Sequence, residues 1–377
     1  MAPFHVMDIL ARARQLEADG RSIVHMEIGE PDFPTPQPVI DAALRAVARG
    51  DMHYTPALGL PELRAAIAGF YLQRYALEVD PARIVVTSGS SAALLLSMAA
   101  LLGAGDQMLL ADPGYPANPN FVRLMDAEPV GVAVDASTRY QLTAAAIDGH
   151  WSERTVAAMI ASPSNPTGTQ VSFEAMSAIA ERVRDHGGTL LVDEIYHGLS
   201  YGPAVRSALE IADDIFVINS FSKYFNMTGW RLGWLVAPHA YVRAIDKLAQ
   251  NIYLSAPTPS QRAALAAFEP QTLAILEARR SEFQARRDYL VPALRELGFS
   301  IGVVPDGAFY IYADCSAFTA DSFAFSMRLL EQAGVAIAPG IDFGAHRAHL
   351  HVRFAYTTSM EKLREGVQRI RDFVARG

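Results

Sequence analysis

Cysteine is almost absent: Cys315 is the only one in 377 residues, so no intrachain disulfide can form. That usage fits a reducing compartment, and a cytoplasmic location is expected. Long apolar runs are also missing. The most apolar stretch, Ala92 to Leu102, falls short of the roughly 18 residues that a membrane span needs, and reads as a buried helix. Residues 4–18 interleave Arg12, Arg14 and Glu17 with apolar positions, which is the pattern of an amphipathic helix and not of a signal peptide. Positive charge is in deficit: 32 Lys and Arg stand against 40 Asp and Glu, for a formal net charge of −8. This balance argues against nucleic acid and an anionic membrane surface as partners. It leaves room for a small anionic substrate gripped by a local group of arginines. No internal repeat, no low-complexity tract and no Gly-x-Gly-x-x-Gly after an early strand occurs, which disfavours a nicotinamide-binding protein.

What is present is a chain that is 51% hydrophobic and 19% charged, enough for a large core and about two domains. From about Ile84 to Ala237, short apolar runs alternate with helical patterns. The runs are Ile84 to Thr87, Met108 to Leu110, Val156 to Ile160, Leu190 to Val192, Ile215 to Asn219 and Leu232 to Val236. Such alternation predicts an α/β fold with a mostly parallel sheet covered on both faces. A long charged helix is expected over roughly Gln271 to Leu297. After it, an α+β pattern runs through Phe309 to Ala313, a helix near Ser322 to Gln332, Val335 to Ala338, a strand through Val352 and a terminal amphipathic helix.

Lys223 is the most informative residue. It follows Ser220 and Ser222, precedes Arg231 by eight positions, and lies just beyond the apolar run Ile215 to Asn219. Ligand sites in α/β sheets form beyond the strand ends. A lysine amine there can form a Schiff base with a carbonyl compound, including pyridoxal phosphate, while Ser220, Ser222 and Arg231 hold a phosphate. The usual fate of a lone lysine is a solvated surface charge. Thr87 to Ser91 joins a strand to an Ala/Leu-rich helix. Gly89 permits a tight turn, and the amides of Ser90 and Ser91 can then face an anion, although a plain turn with a serine cap reads equally well in isolation. Asp193 ends the run Thr189 to Val192, as a helix cap or as the partner of a cationic ring nitrogen. Arg353, between apolar neighbours, needs an anion.

These segments, taken in order, resemble the class I and II aminotransferases, the fold-type-I pyridoxal phosphate enzymes. The likeness runs from Gly29-Glu30-Pro31-Asp32-Phe33 through Tyr54-Thr55-Pro56, Thr87 to Ala92, Asp112-Pro113-Gly114-Tyr115-Pro116, Ser164-Asn165-Pro166-Thr167-Gly168, Asp193-Glu194-Ile195-Tyr196 and the Lys223 segment to Arg353 to Ser359. The resemblance implies a seven-stranded large domain over residues 45–275. It also implies a smaller α+β domain built from both chain ends, 1–44 and 276–377. It assigns Lys223, Asp193 and Tyr196 to catalysis. Gly89, Ser90, Ser91, Tyr115, Asn165, Ser220, Ser222 and Arg231 go to cofactor binding, with Tyr54 reaching the phosphate of a neighbouring subunit in a homodimer. Gly29, Asn165 and Arg353 go to the substrate carboxylate. No metal is expected. The implied activity moves an amino group from an L-amino acid to a 2-oxo acid. Ser91 stands where some aspartate-using relatives carry a lysine, so neutral aromatic or aliphatic donors are favoured. Phe33, Phe309 and Tyr310 are candidates for the pocket wall, and Arg12 or His25 for added charge. The alternatives are a carbon–sulfur β-lyase on the same fold and a ligand-sensing protein without catalysis. The latter would carry a DNA-binding domain ahead of a pattern that here starts near Met1.

Overall fold

The computed structural model describes residues 4–202 and 204–376. The chain opens with α1 (His5–Ala18), the short strand β1 (Val24–Met26), α2 (Gln37–Ala48) and α3 (Pro61–Tyr75). Strands and helices then alternate as β2 (Ile84–Thr87), α4 (Ser90–Leu101), β3 (Gln107–Asp112), α5 (Asn118–Leu124), β4 (Glu128–Ala133), α6 (Ala144–His150), β5 (Thr155–Ala161), α7 (Phe173–Asp185) and β6 (Thr189–Asp193). Next come β7 (Phe216–Ser220), β8 (Gly233–Val236), α8 (His239–Ile252), α9 (Thr258–Ala264) and the 27-residue α10 (Pro270–Glu296). The chain ends with β9 (Tyr310–Asp314), α11 (Ser322–Ala333), β10 (Val335–Pro339), β11 (His351–Ala355) and α12 (Met360–Val374).

Seven strands form the main sheet in the order β2-β8-β7-β6-β5-β3-β4. All contacts from β7 to β4 are parallel, and β8 runs antiparallel to both its neighbours. Strand residues alternate between two apolar layers. Val86, Leu109, Ile160, Val192 and Val217 enter one, while Val85, Leu110, Met159, Leu191 and Ile218 enter the other. A sheet buried on both faces needs continuous apolar runs, which is why these strands are visible in the sequence. Each such side chain contributes about 1.5–3 kcal/mol on burial. A second sheet, ordered β1-β10-β11-β9, draws one strand from the N-terminal end and three from the C-terminal end.

Two strands differ from the sequence reading. β1 has three residues, too few to show a period. β4 lies at the sheet edge and contains Pro129 and Gly131, which break its apolar pattern. Among the described residues, no helix is long and apolar enough to cross a membrane.

Candidate active site

The carboxyl ends of β5, β6 and β7 open into a cavity of about 270 Å³ whose far wall comes from β9 and β11. Lys223, directly after Ser222 in the turn that follows β7, lines it and is half-buried. Its Nζ donates to the Gly29 carbonyl at 2.7 Å. Burial, reinforced by the positive charge of Arg353, lowers the Lys223 amine from 10.5 to about 8. Asp193 ends β6 and is 6% exposed. One of its oxygens accepts the Ile195 N–H at 3.0 Å, and burial pushes its carboxyl up to about 7.

The start of α4 forms one end of the cavity. Gly89 takes φ 81, and a Cβ there would stand 2.7 Å from Arg231 Nη2, so only glycine fits. No side chain caps this helix end, and Ser90 and Ser91 face the cavity. Exposed backbone amides at a helix start, with a guanidinium alongside, make an anion cradle. Arg231 donates to the Thr228 carbonyl at 2.9 Å and has no carboxylate partner among the described residues.

Arg353, in β11, is 5% exposed. It donates to Asn165 Oδ1 at 2.9 Å and to the Glu27 carbonyl at 2.5 Å. Its Nε is buried without a partner, and no carboxylate pairs with it among the described residues. A buried guanidinium in this state is completed by an anion. Its Cζ lies 4.3 Å from the Tyr310 ring centroid. Tyr310 also meets the Tyr196 hydroxyl at 2.9 Å and stands where a Cβ on Gly29 would approach its oxygen to 2.2 Å, so Gly29 too must lack a side chain. Three cationic side chains, Lys223, Arg231 and Arg353, thus share the cavity with one carboxylate, Asp193. In a chain of net charge −8 this is a local reversal of sign that favours an anionic occupant.

The structure therefore gathers Gly29, Ser90, Ser91, Tyr115, Asn165, Asp193, Tyr196, Ser222, Lys223, Arg231 and Arg353 around one space, with Gly89 behind the cradle. Tyr310 of the expected pocket wall lines it too, whereas Phe33, Phe309, Arg12 and His25 do not, and two of the residues assigned to the site also lie outside it. The Ser220 hydroxyl donates to the Leu232 carbonyl at 3.3 Å and accepts the Ser222 N–H at 3.0 Å, so it clips the turn together. Tyr54 is 83% exposed and does not line the cavity. Thr228 and Ile195 line it without having been singled out. Thr228 sits within the Lys223 segment, and its hydroxyl bond to the Ser222 carbonyl at 3.0 Å is a contact no local pattern announces.

Comparison with known proteins agrees with this arrangement. The family Aminotransferase class I and II matches residues 21–370. A valine–pyruvate aminotransferase of Mycobacterium tuberculosis is 40% identical over 373 residues, covering 98% of this chain and 95% of that protein. A (5-formylfuran-3-yl)methyl phosphate transaminase of Methanocaldococcus jannaschii is 36% identical over 98% of this chain and 96% of its own length. The crystal structure of an aminotransferase from Mycobacterium tuberculosis superposes with a TM-score of 0.97 at 38% identity, covering 100% of this chain and 98% of that one. The chain belongs to the class I and II aminotransferase family. It is an enzyme, a transaminase of that family's fold-type-I architecture.

Proposed function

We propose that the protein is a pyridoxal phosphate-dependent aminotransferase that moves the amino group of a neutral L-amino acid to a 2-oxo acid in two half-reactions. The observation that carries this reading is Lys223, an amine lowered to about 8, placed in one cavity with two unpaired arginines and a buried carboxylate. The residues fit the cofactor at each end. The amides of Ser90 and Ser91, the Ser222 hydroxyl and Arg231 would hold the phosphate, Tyr115 would face the ring, Asn165 and Tyr196 would meet its hydroxyl, and Asp193 its nitrogen. When bound, pyridoxal phosphate supplies an aldehyde for amine exchange and an electron sink for the charge left at the substrate Cα.

The chain's own residues do the rest. Arg353 offers its free guanidinium edge to the substrate carboxylate, with Asn165 and the Gly29 backbone on either side. That fixes Cα near Lys223. The lowered Lys223 amine is still mostly protonated near neutral pH but has a far larger neutral fraction than an ordinary lysine, and in that form its Nζ can take a proton from Cα and return it. Asp193, once opposite a cationic nitrogen, keeps its negative charge in spite of its burial.

The reading extends to assembly. Tyr54 and the neighbouring apolar Leu44 and Val47 are exposed, at 83%, 63% and 56%, and we place them in a homodimer interface where Tyr54 reaches the phosphate site of the second copy. The division into a large unit and a smaller one made from both chain ends rests on the two sheets. We place the larger unit at residues 45–275 and the smaller at 1–44 and 276–377; the packing of α2 on α9 favours counting α2 with the larger unit.

A spectral titration of cofactor-loaded protein with amino acids, without acceptor, tests the reading. Loss of the absorbance of the Lys223-bound cofactor with one equivalent of oxo acid supports it. Repeated release of pyruvate and ammonia would establish a β-lyase in its place. Lys223→Ala should abolish the absorbance and lower turnover by more than about 10³-fold; sustained transamination by this variant would remove Lys223 from the chemistry.

A further inference from the structure

A second cavity, of about 390 Å³, adjoins the first. The two share Tyr115 and Ala161 as a common wall. They also meet through Arg353, which lines the first and whose Cζ lies 4.8 Å from the ring centroid of Phe343, a residue of the second. The first cavity, at about 270 Å³, is at the small end of ligand pockets, which run from roughly 300 to 1,000 Å³. A cofactor and the α-carbon groups of a substrate fill such a space, and the substrate's side chain must go elsewhere.

The lining of the second cavity states what that side chain can be. Most of it is apolar, including Phe4, Leu110, Met159, Ile341 and Phe343. Two carboxylates are present, both already engaged. Asp112 accepts the N–H groups of Ala345 and His346 at 3.0 and 3.2 Å, and Asp342 accepts those of His5 and Val6 at 2.7 Å. Fixed negative charge of this kind opposes an acidic side chain. Arg123 is exposed at the margin and bonds Asn120 at 3.3 Å. Among the described residues that line it, the one buried side-chain polar atom without a partner belongs to Asn118, at the start of α5. It is 7% exposed, and its Oδ1 is buried without a partner. A buried amide left in this state is costly, and a ligand that completes it gains accordingly.

We propose that this second cavity receives the side chain of the amino-acid substrate and selects an aromatic ring with a hydroxyl at its tip, paired with the Asn118 amide. A hydroxyl both donates and accepts, so it serves either end of that amide. The proposal rests on the transaminase reading in one respect: Arg353 must hold the substrate carboxylate.

The test is calorimetric and needs no turnover. Cofactor-loaded protein is titrated with 3-(4-hydroxyphenyl)propanoate, 3-phenylpropanoate and succinate, which share the carbon skeleton of amino acids and lack the amine. The hydroxylated compound should bind about threefold to tenfold tighter than its parent, the worth of one buried hydrogen bond. Succinate should bind most weakly. Asn118→Leu should erase the hydroxyl preference, so that the two aromatic acids bind that variant with equal Kd. Equal affinity for the two aromatic acids in the unaltered protein, or succinate binding tightest, overturns the proposal without recourse to any variant. Protein that shows the preference but does not transaminate retains this assignment and loses the functional reading above. Protein that transaminates without the preference loses only the assignment.

Discussion

Asp193, the last residue of β6, and Glu194, just past it, are both buried and both acidic, and they line different cavities. Their surroundings differ in one respect. Glu194 is surrounded by donors of its own chain: the Ser207 hydroxyl reaches both its oxygens at 3.0 Å, the Ala208 N–H reaches one at 2.7 Å, and His197 Nδ1 stands 3.4 Å away. Asp193 has the Ile195 N–H alone, and faces the cavity. Burial raises both carboxyls, to about 7 for Asp193 and about 8 for Glu194. The perturbed pKa therefore does not separate the two roles; the open hydrogen-bonding capacity does. The same contrast holds between two buried arginines. Arg286 is paired with Asp32 at 2.7 Å and Glu282 at 3.0 Å, whereas Arg353 has no carboxylate. Groups completed by the fold hold the fold, and groups left incomplete await a ligand.

The sharpest way to break this comparison is to neutralise each acid in turn. Asp193→Asn should lower kcat at least about a hundredfold, the usual scale for removing one electrostatic stabiliser. Its effect on stability has the opposite sign. The Asp193 carboxyl rises from 3.8 to about 7 on folding, so between those values the folded, cofactor-free protein holds a proton that the unfolded chain has lost. Stability then falls as pH climbs through that window. At pH 8 the cofactor-free Asp193→Asn variant should melt above the unaltered protein. Glu194→Ala should do the reverse when melted near pH 4, below the window in which its own carboxyl, raised from 4.5 to about 8 on folding, costs stability. It orphans the Ser207 hydroxyl and the Ala208 N–H, costing about 1–3 kcal/mol and a few degrees of Tm, with kcat within about threefold. A large kcat loss in Glu194→Ala, with Asp193→Asn unaffected, would dissolve the contrast.

The arginine pair gives a smaller effect. Arg353→Lys replaces a fork with a point charge and should raise the KM for the amino acid about tenfold. Arg286→Lys disturbs two ion pairs and the guanidinium stack 5.0 Å over Phe33, and should lower Tm while leaving KM as it was. Matched KM changes in the two variants would mean that burial, and not the missing carboxylate, decides the role.

How much of this was legible in the sequence follows the same division. β2, β3, β5, β6, β7 and β8 show as apolar runs because a doubly covered sheet demands them. The direction of β8 does not show, since antiparallel pairing with β2 and β7 is set by distant segments. β4 is masked by its proline and glycine. At the site, Lys223, Asp193 and Arg353 stand out because each is a charged residue beside or within an apolar run, and their motifs are shared with a family. The meeting of Tyr310 with Tyr196 spans 114 positions, and the stacking of Arg353 on Phe343 crosses from β11 to a loop. The open amide of Asn118 is visible only when its neighbours are known to ignore it. Ser220 shows the converse: a hydroxyl beside Lys223 in sequence is already spent on the backbone in space.

The smallest effect concerns Lys223 itself. The chain has three lysines, Lys223, Lys247 and Lys362. Lys362 sits on the surface against Glu365 at 2.8 Å, while Lys223 faces the cavity with Arg353 and Arg231. Carbamylation of the cofactor-free protein by cyanate, followed peptide by peptide, reads the neutral fraction of each amine. Burial and the Arg353 charge disfavour the protonated Lys223 amine, so its rate should reach half-maximum near pH 8, well below a midpoint near the ordinary lysine value of 10.5. The direction has a cause that can be removed. Arg353→Leu takes away the like charge that contributes most and leaves burial in place, so the midpoint should climb partway and stop short of the ordinary lysine value of 10.5. A midpoint for Lys223 near the ordinary lysine value of 10.5 in the unaltered protein would show that the cavity does nothing to this amine, and the distinction between completed and incomplete groups would then fail at the residue where it matters most.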